Sequence, residues 1–355
     1  MARTNDKAKS NIRLLLYSLL TSFILVELIL RLWGGMYTPI EKLAYFDGKY
    51  HSMFTAPKSW LNLYEPNSTH RFASPNEFEY YFKSNSDGLA EKNDFKEKAE
   101  REYRIVGIGD SYTEGIGTDQ DSTWLKLVER NIRLLTGNVN VFTINGGIAG
   151  SDPFYEYIIF DKLLLKHKPS LLLCAINISD LGDVAFRGGF ERFQNDGTVK
   201  FTDGPQWEWL YGYCHIIRLF VHKVLNYNLQ FLSPSQQKDK EIKAIQDIKN
   251  VILKYQKLAL LNNFQMVVIL HPWKHEVETG KSFFIEEISG FCENNNIQYL
   301  DLLHYYKSVE KIRASNSNDY FWTVDDHNKP KGYQAFARGV IQKLNEMGII
   351  DSLKK

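Results

Sequence analysis

From residue 104 onward, short runs rich in valine, isoleucine and leucine alternate with longer stretches of helical periodicity. The runs "RIVGIG" (104–109), "VNVFTI" (139–144), "SLLLCAI" (170–176), "FQMVVIL" (264–270) and "IQYLDL" (297–302) predict five buried parallel strands. Between them the pattern predicts helices over 124–135, 153–166 with a proline at its start, 238–262 and 283–294. A last helix over 331–347 closes the chain. Strands alternating with helices imply a doubly wound parallel sheet, whose chemistry belongs at the carboxyl ends of the strands. Residues 184–237 interrupt the pattern. Within them "FQNDGTVKF" predicts a hairpin around Asn195-Asp196-Gly197, and "WEWLYGYCHIIRLFVHKVL" an amphipathic helix with an aromatic start. This insertion reads as a cap on the sheet, with a surface that meets lipid or polymer as the alternative.

The N-terminal pattern is different. Leu14–Leu30 reads "LLLYSLLTSFILVELIL", and with Ile12, Leu32 and Trp33 it approaches the ~20 residues that cross a bilayer. Its apolar residues go all round, unlike those of a surface helix. Arg3, Lys7, Lys9 and Arg13 precede it and only Arg31 follows closely, so the expected orientation leaves the N-terminus in the cytoplasm. Glu27 is the exception in the run, and Arg31 four residues later offers it an ion pair. An uncleaved anchor is preferred to a secretory signal, because no small-x-small cleavage site follows. The expected organisation is a cytoplasmic tail (1–11), a transmembrane anchor (12–33), an aromatic stalk and strap (34–103) and a catalytic-type domain (104–355).

Composition narrows the classes. A net charge of +1 gives no basic field for nucleic acid. Cys174, Cys214 and Cys292 have no metal-ligand spacing, and Cys174 reads as a small buried hydrophobe. His271 and His275 are four apart, but Pro272 and Trp273 argue against a helical metal pair. No cofactor and no metal are expected.

The stretch "IVGIGDSYTEG" (105–115) carries the candidate chemistry. As a dinucleotide loop it fails, because Tyr112 stands where the third glycine belongs and no acid closes a second strand. A P-loop fails for want of Gly-Lys-Ser/Thr. As a nucleophile, Ser111 lies at a strand-to-loop turn, and it needs a base and an acid that orients the base. "TVDDHNKPKGYQAFA" offers both, with Asp325 and His327 two apart before the last helix. One loop can then present the imidazole with a carboxylate behind it. The G-x-S-x-G elbow of α/β-hydrolases is absent, since Thr113 stands at its last position.

These residues resemble the SGNH (GDSL-type) hydrolases, in particular membrane-anchored bacterial members. "GDSYTEGIGTDQDSTW" resembles the first block, "INGGIAGSDP" the second, "NISDLGD" the third, and "DDHNKPKGYQAFA", with Gly332 downstream, the last. The resemblance implies a flavodoxin-like three-layer α/β sandwich and a Ser111–His327–Asp325 triad. It also implies an oxyanion hole from the amides of Ser111 and Gly150, with Gly147 as second choice. The third block departs from the family pattern of Gly-x-Asn-Asp: Ser179 precedes Asp180, and Asn177 lies two residues earlier. Strand alternation would point Asn177 and Ser179 the same way, so either could supply the third donor. Asp180 and Asp183 read as loop-capping groups; Asp110 and Asp180 are also candidate substrate contacts. Asp326 reads as a solvated neighbour.

Two functions follow. One is a membrane-anchored serine esterase or O-acyltransferase, with acetyl as the favoured acyl group, acting on an acylated carbohydrate or lipid of the cell envelope. The other is a weakly active or inactive relative that binds acylated glycan or scaffolds a membrane O-acyltransferase.

Overall fold

The computed structural model describes residues 2–33, 63–195, 197, 199, 205, 207–228 and 231–354. Residues 34–62 of the expected stalk and strap (34–103) and the tip of the expected hairpin at Asp196 lie outside them. The described residues fall into two compact units, one drawn from 1–59 and 193–240, the other from 60–192 and 241–355.

The larger unit is built on five parallel strands: β3 (Tyr103–Gly109), β4 (Val141–Gly147), β5 (Leu171–Ile176), β6 (Gln265–Leu270) and β7 (Tyr299–Asp301), in the order β4-β3-β5-β6-β7. Every residue of β5 is buried. That burial is why these strands read as continuous apolar runs rather than alternating ones. After β4 the chain crosses over β3 to add β5, so the direction of winding reverses. Right-handed crossovers then put the helix Trp124–Thr136 on one face of the sheet and the later connecting helices on the other. The helix Pro330–Glu346 joins the first face, where Phe336 stacks on Trp124 at 4.7 Å, and a short helix, Ile349–Ser352, follows it. The expected helix from Pro153 is regular to Ile159 and continues as a wider turn, Phe160–Leu164.

An antiparallel hairpin precedes the sheet in sequence, β1 (Thr69–Ser74) with β2 (Phe78–Lys83), paired from Thr69↔Lys83 to Ser74↔Phe78. Asn76 turns it with φ +63°, a conformation asparagine tolerates well. Tyr80, Phe82 and Ala90 form a small core beneath it with Tyr64, Phe72 and Phe78.

In the smaller unit, helix α1 runs over Ala2–Trp33, and its stretch Lys9–Leu32 is long and apolar enough to cross a membrane, with none of it buried in the protein. Residues 193 and 199 pair antiparallel, as a hairpin requires. The segment expected to be one amphipathic helix is instead two, Glu208–Tyr213 and His215–Leu219, followed by a wide turn Phe220–Val224. The break is at Cys214, which is extended (φ −125°, ψ 115°). Its cause is long-range: the Glu27 carboxylate accepts the His215 and Ile216 N–H groups, both at 3.0 Å, and so starts a new helix there. Arg31 pairs with Glu27 at 2.9 Å.

Candidate active site

Four loops at the carboxyl ends of β3 to β6, and the hairpin before the helix Pro330–Glu346, assemble the site. Ser111 is the first residue of a four-residue helix, Ser111–Glu114, that follows β3 directly. The turn is tight because Gly109 takes φ +152° and has no side chain; a Cβ there would lie 2.3 Å from Thr113 Oγ1 and 2.9 Å from the Ala175 carbonyl. His327 Nε2 lies 2.7 Å from Ser111 Oγ, and His327 Nδ1 lies 2.5 Å from Asp325 Oδ1. Residues 216 positions apart thus form one hydrogen-bonded chain in the order serine, imidazole, carboxylate. Partial burial opposes ionisation of Asp325, but its bond to His327 outweighs this and holds the carboxyl below its ordinary range. The Tyr112 ring covers the His327 ring at 4.7 Å.

The loop presenting Asp325 and His327 is clamped from two sides. Glu77, in the turn between β1 and β2, accepts the N–H groups of Thr323 and Val324 at Oε1 (2.7 and 2.8 Å) and of Asp325 at Oε2 (2.8 Å). Partial burial would raise its pKa, but these three donors outweigh burial and lower it. Lys274 donates to the carbonyls of Trp322 and Thr323 and pairs with Asp326 at 3.2 Å. Asp326 is therefore an ion-paired neighbour as well as a half-exposed one. Neither Glu77 nor Lys274 was visible in the sequence, because each acts through backbone groups some 50 or 250 positions away.

Gly150 closes a turn in which Ser151 N–H bonds the Ile148 carbonyl at 3.0 Å, and its φ of +71° is what the third position of a type II turn demands. The turn is held by Ala149 N–H on Glu114 Oε2 (2.6 Å) and by Arg187 on the Gly150 carbonyl (2.7 Å). Among the described residues the N–H groups of Ser111 and Gly150 have no partner. Gly147 is excluded as the alternative donor. Its N–H bonds Asn145 Oδ1 at 3.0 Å, and its missing Cβ makes room for Glu114, whose N would lie 2.1 Å away.

The third block departs from expectation. β5 ends at Ile176, and Asn177 is the N-cap of a helix, Ile178–Arg187, so Ser179 is helical and the two residues do not alternate as on a strand. Asn177 is buried and fully engaged: Nδ2 lies 2.9 Å from both Asp110 Oδ2 and His271 Nε2, while Oδ1 accepts Ser179 N–H, Ser179 Oγ and Trp273 Nε1. Burial pushes the His271 pKa down to about 4, so its ring is neutral and can accept from Asn177. The Asn177 amide is thereby committed away from an oxyanion. The Ser179 hydroxyl bonds Asn177 Oδ1 at 2.6 Å but can rotate. Asp110 and Asp180, the candidate substrate contacts, are both buried caps. Asp110 accepts Tyr112 N–H at 3.0 Å, and Asp180 accepts Asn177 N–H at 2.8 Å, completing a capping box. Asp183 pairs with Arg187 at 3.1 Å.

Among the described residues no group of three or more His, Cys, Asp or Glu side chains is arranged to hold a metal; His271 is buried and His275 is exposed on the helix Lys274–Thr279.

The fold is a doubly wound α/β sandwich with a serine–imidazole–carboxylate chain at the carboxyl end of its sheet. No family model and no curated protein matches the chain. Solved structures do resemble it. A G-D-S-L family lipolytic protein from Desulfitobacterium hafniense is 15% identical over 68% of this chain and 99% of its own, with a TM-score of 0.41. An acetylxylan esterase from Geobacillus stearothermophilus is 14% identical over 70% of this chain and 96% of its own, with a TM-score of 0.43. At these identities the reading of function rests on the site's own geometry.

Proposed function

We propose that this protein is a membrane-anchored serine esterase or O-acyltransferase, acetyl being the favoured acyl group, that acts on a glycan or lipid of the cell envelope. The hydrogen-bonded chain Ser111–His327–Asp325 carries the reading. In it, neutral His327 takes the Ser111 proton as Oγ attacks the ester carbonyl, and Asp325 stabilises the imidazolium. The unpartnered N–H groups of Ser111 and Gly150 receive the oxyanion, and Ser179 Oγ is the side chain that can turn to join them. His327 then protonates the departing alcohol. Water, or an acceptor hydroxyl of the glycan, attacks the acyl-serine and regenerates the enzyme. The apolar helix before residue 34 anchors it, with the N-terminus in the cytoplasm and the remainder outside. The scaffold reading draws on the altered third block, but a binding module has no need of the aligned chain.

The test is to incubate the full chain in detergent with p-nitrophenyl acetate and seek acetyl on Ser111 by mass spectrometry. Ser111→Ala is expected to lose ester turnover by about 10⁴-fold or more, with its melting temperature kept. A variant retaining most of its activity would sink the assignment.

A further inference from the structure

We propose that Trp207–Leu225 is an interfacial foot: its outward aromatic and aliphatic side chains seat in the headgroup layer of the membrane that α1 enters. The proposal rests on α1 lying in that membrane. The foot is fastened to the outer end of the apolar span. Glu27 stands five positions before Leu32 (32 − 27), about 7.5 Å along the axis. Its carboxylate holds the His215 and Ile216 N–H groups, and Arg31 donates to the Tyr213 carbonyl at 2.5 Å. The start of the helix His215–Leu219 is therefore set at the depth where interfacial helices lie, about 5–10 Å below the headgroup boundary. At that depth an unsatisfied N–H is costly, which gives a carboxylate in an apolar span its use.

The foot has two faces. Tyr211, Val221 and Phe231 pack inward with Trp207, Ile217 and Tyr227. Outward stand Trp209, Tyr213, Phe220 and Val224, exposed by 59, 62, 46 and 64%. Tryptophan and tyrosine at the end of a membrane helix suit the interface, where an apolar ring and a polar tip both find partners. Within Trp207–Leu225 the sequence has one acid, Glu208, against Arg218 and the exposed Lys223, so the segment carries no net negative charge to repel anionic lipid. The occupant that fits is the phospholipid interface itself, because the fastening residues belong to the membrane helix.

The full chain is reconstituted in nanodiscs of phosphatidylcholine and phosphatidylglycerol, with or without bromine at carbons 6 and 7 of the acyl chains. The emission of wild type minus Trp209→Phe isolates Trp209, since every other tryptophan cancels. Brominated lipid is expected to quench this difference emission by about half, because a ring 5–10 Å deep lies within reach of those carbons. Difference emission that ignores the bromines but yields to aqueous acrylamide overturns the foot and leaves the face to another protein or a second copy. If bromine fails to quench Trp209→Phe as well, α1 is not in the bilayer, and the foot falls with the anchor. Ester turnover enters neither readout, so the result is independent of the catalytic assignment.

Discussion

Asn177 shows how one side chain can serve a fold while sitting where a catalytic donor was expected. Its amide joins four partners: the Asp110 cap beside Ser111, neutral His271 after β6, Trp273 and Ser179. Removing it strips the N-cap from the helix Ile178–Arg187 and leaves buried Asp110 and His271 short of a donor. We expect Asn177→Ala to destabilise the protein by at least about 2 kcal/mol, from lost capping and unsatisfied burial together. Ser179 is half-buried, and its hydroxyl bonds an oxygen that already has other donors. Ser179→Ala should keep its melting temperature and lower kcat with KM little changed, if the hydroxyl turns toward the oxyanion in the transition state. Thermal melts and steady-state kinetics on the two variants separate the roles. Equal melts for both would show that the buried network is not needed for stability.

At the level of elements, the site depends on contacts between segments that are far apart in sequence. The β1–β2 turn contributes Glu77, an acceptor-only group facing three N–H donors of the loop that carries Asp325. Glu77→Gln keeps the size but turns an NH₂ group toward one of those donors. Through displacement of Asp325 and His327, kcat should fall by up to about 100-fold while KM changes little. An unchanged kcat would mean that Lys274 and the local hairpin suffice to hold the loop.

The helix Ser111–Glu114 is tied to the Gly150 turn through Glu114, whose carboxyl accepts Tyr64 Oη–H and Ala149 N–H, both at 2.6 Å. Burial pushes its pKa from 4.5 up to about 7. Between those values the unfolded chain has released this proton and the folded protein still holds it. Stability from this group is therefore full below pH 4.5 and lost as pH rises to 7, by about 3 kcal/mol. Glu114→Gln mimics the neutral acid, so its melting temperature should gain several degrees on wild type between pH 4.5 and 7. A constant gap across that range would show that Glu114 is ionised throughout.

For the whole molecule, the cluster of bases before Leu14 predicts that protease added to intact spheroplasts digests the chain beyond Trp33; full protection would reverse the orientation. The five strands and the helices expected over 124–135, 238–262, 283–294 and 331–347 were legible in the sequence, within about four residues at each boundary, whereas the short helices Ile178–Arg187, Lys274–Thr279 and Leu302–Ser308 were not. Burial on both faces leaves a continuous apolar run that needs no tertiary information to read. Ser111, Asp325 and His327 were legible for a related reason: the local turn and the two-residue spacing are encoded within short loops. What the chain could not announce is the partnership across it. Period-two alternation was extended one step too far, because whether β5 ends before Asn177 depends on Asp180 folding back to cap it and on Asp110 and His271 arriving from two other strands. The break at Cys214 depends likewise on Glu27, 187 residues earlier. The sequence determined the periodic elements and the loops that bear the chemistry, because burial and local spacing are written residue by residue. Only the tertiary structure decided which donors remain free at the site and which carboxylates are spent on caps and clamps, because a hydrogen bond has one claimant per proton and the claimants come from distant parts of the chain.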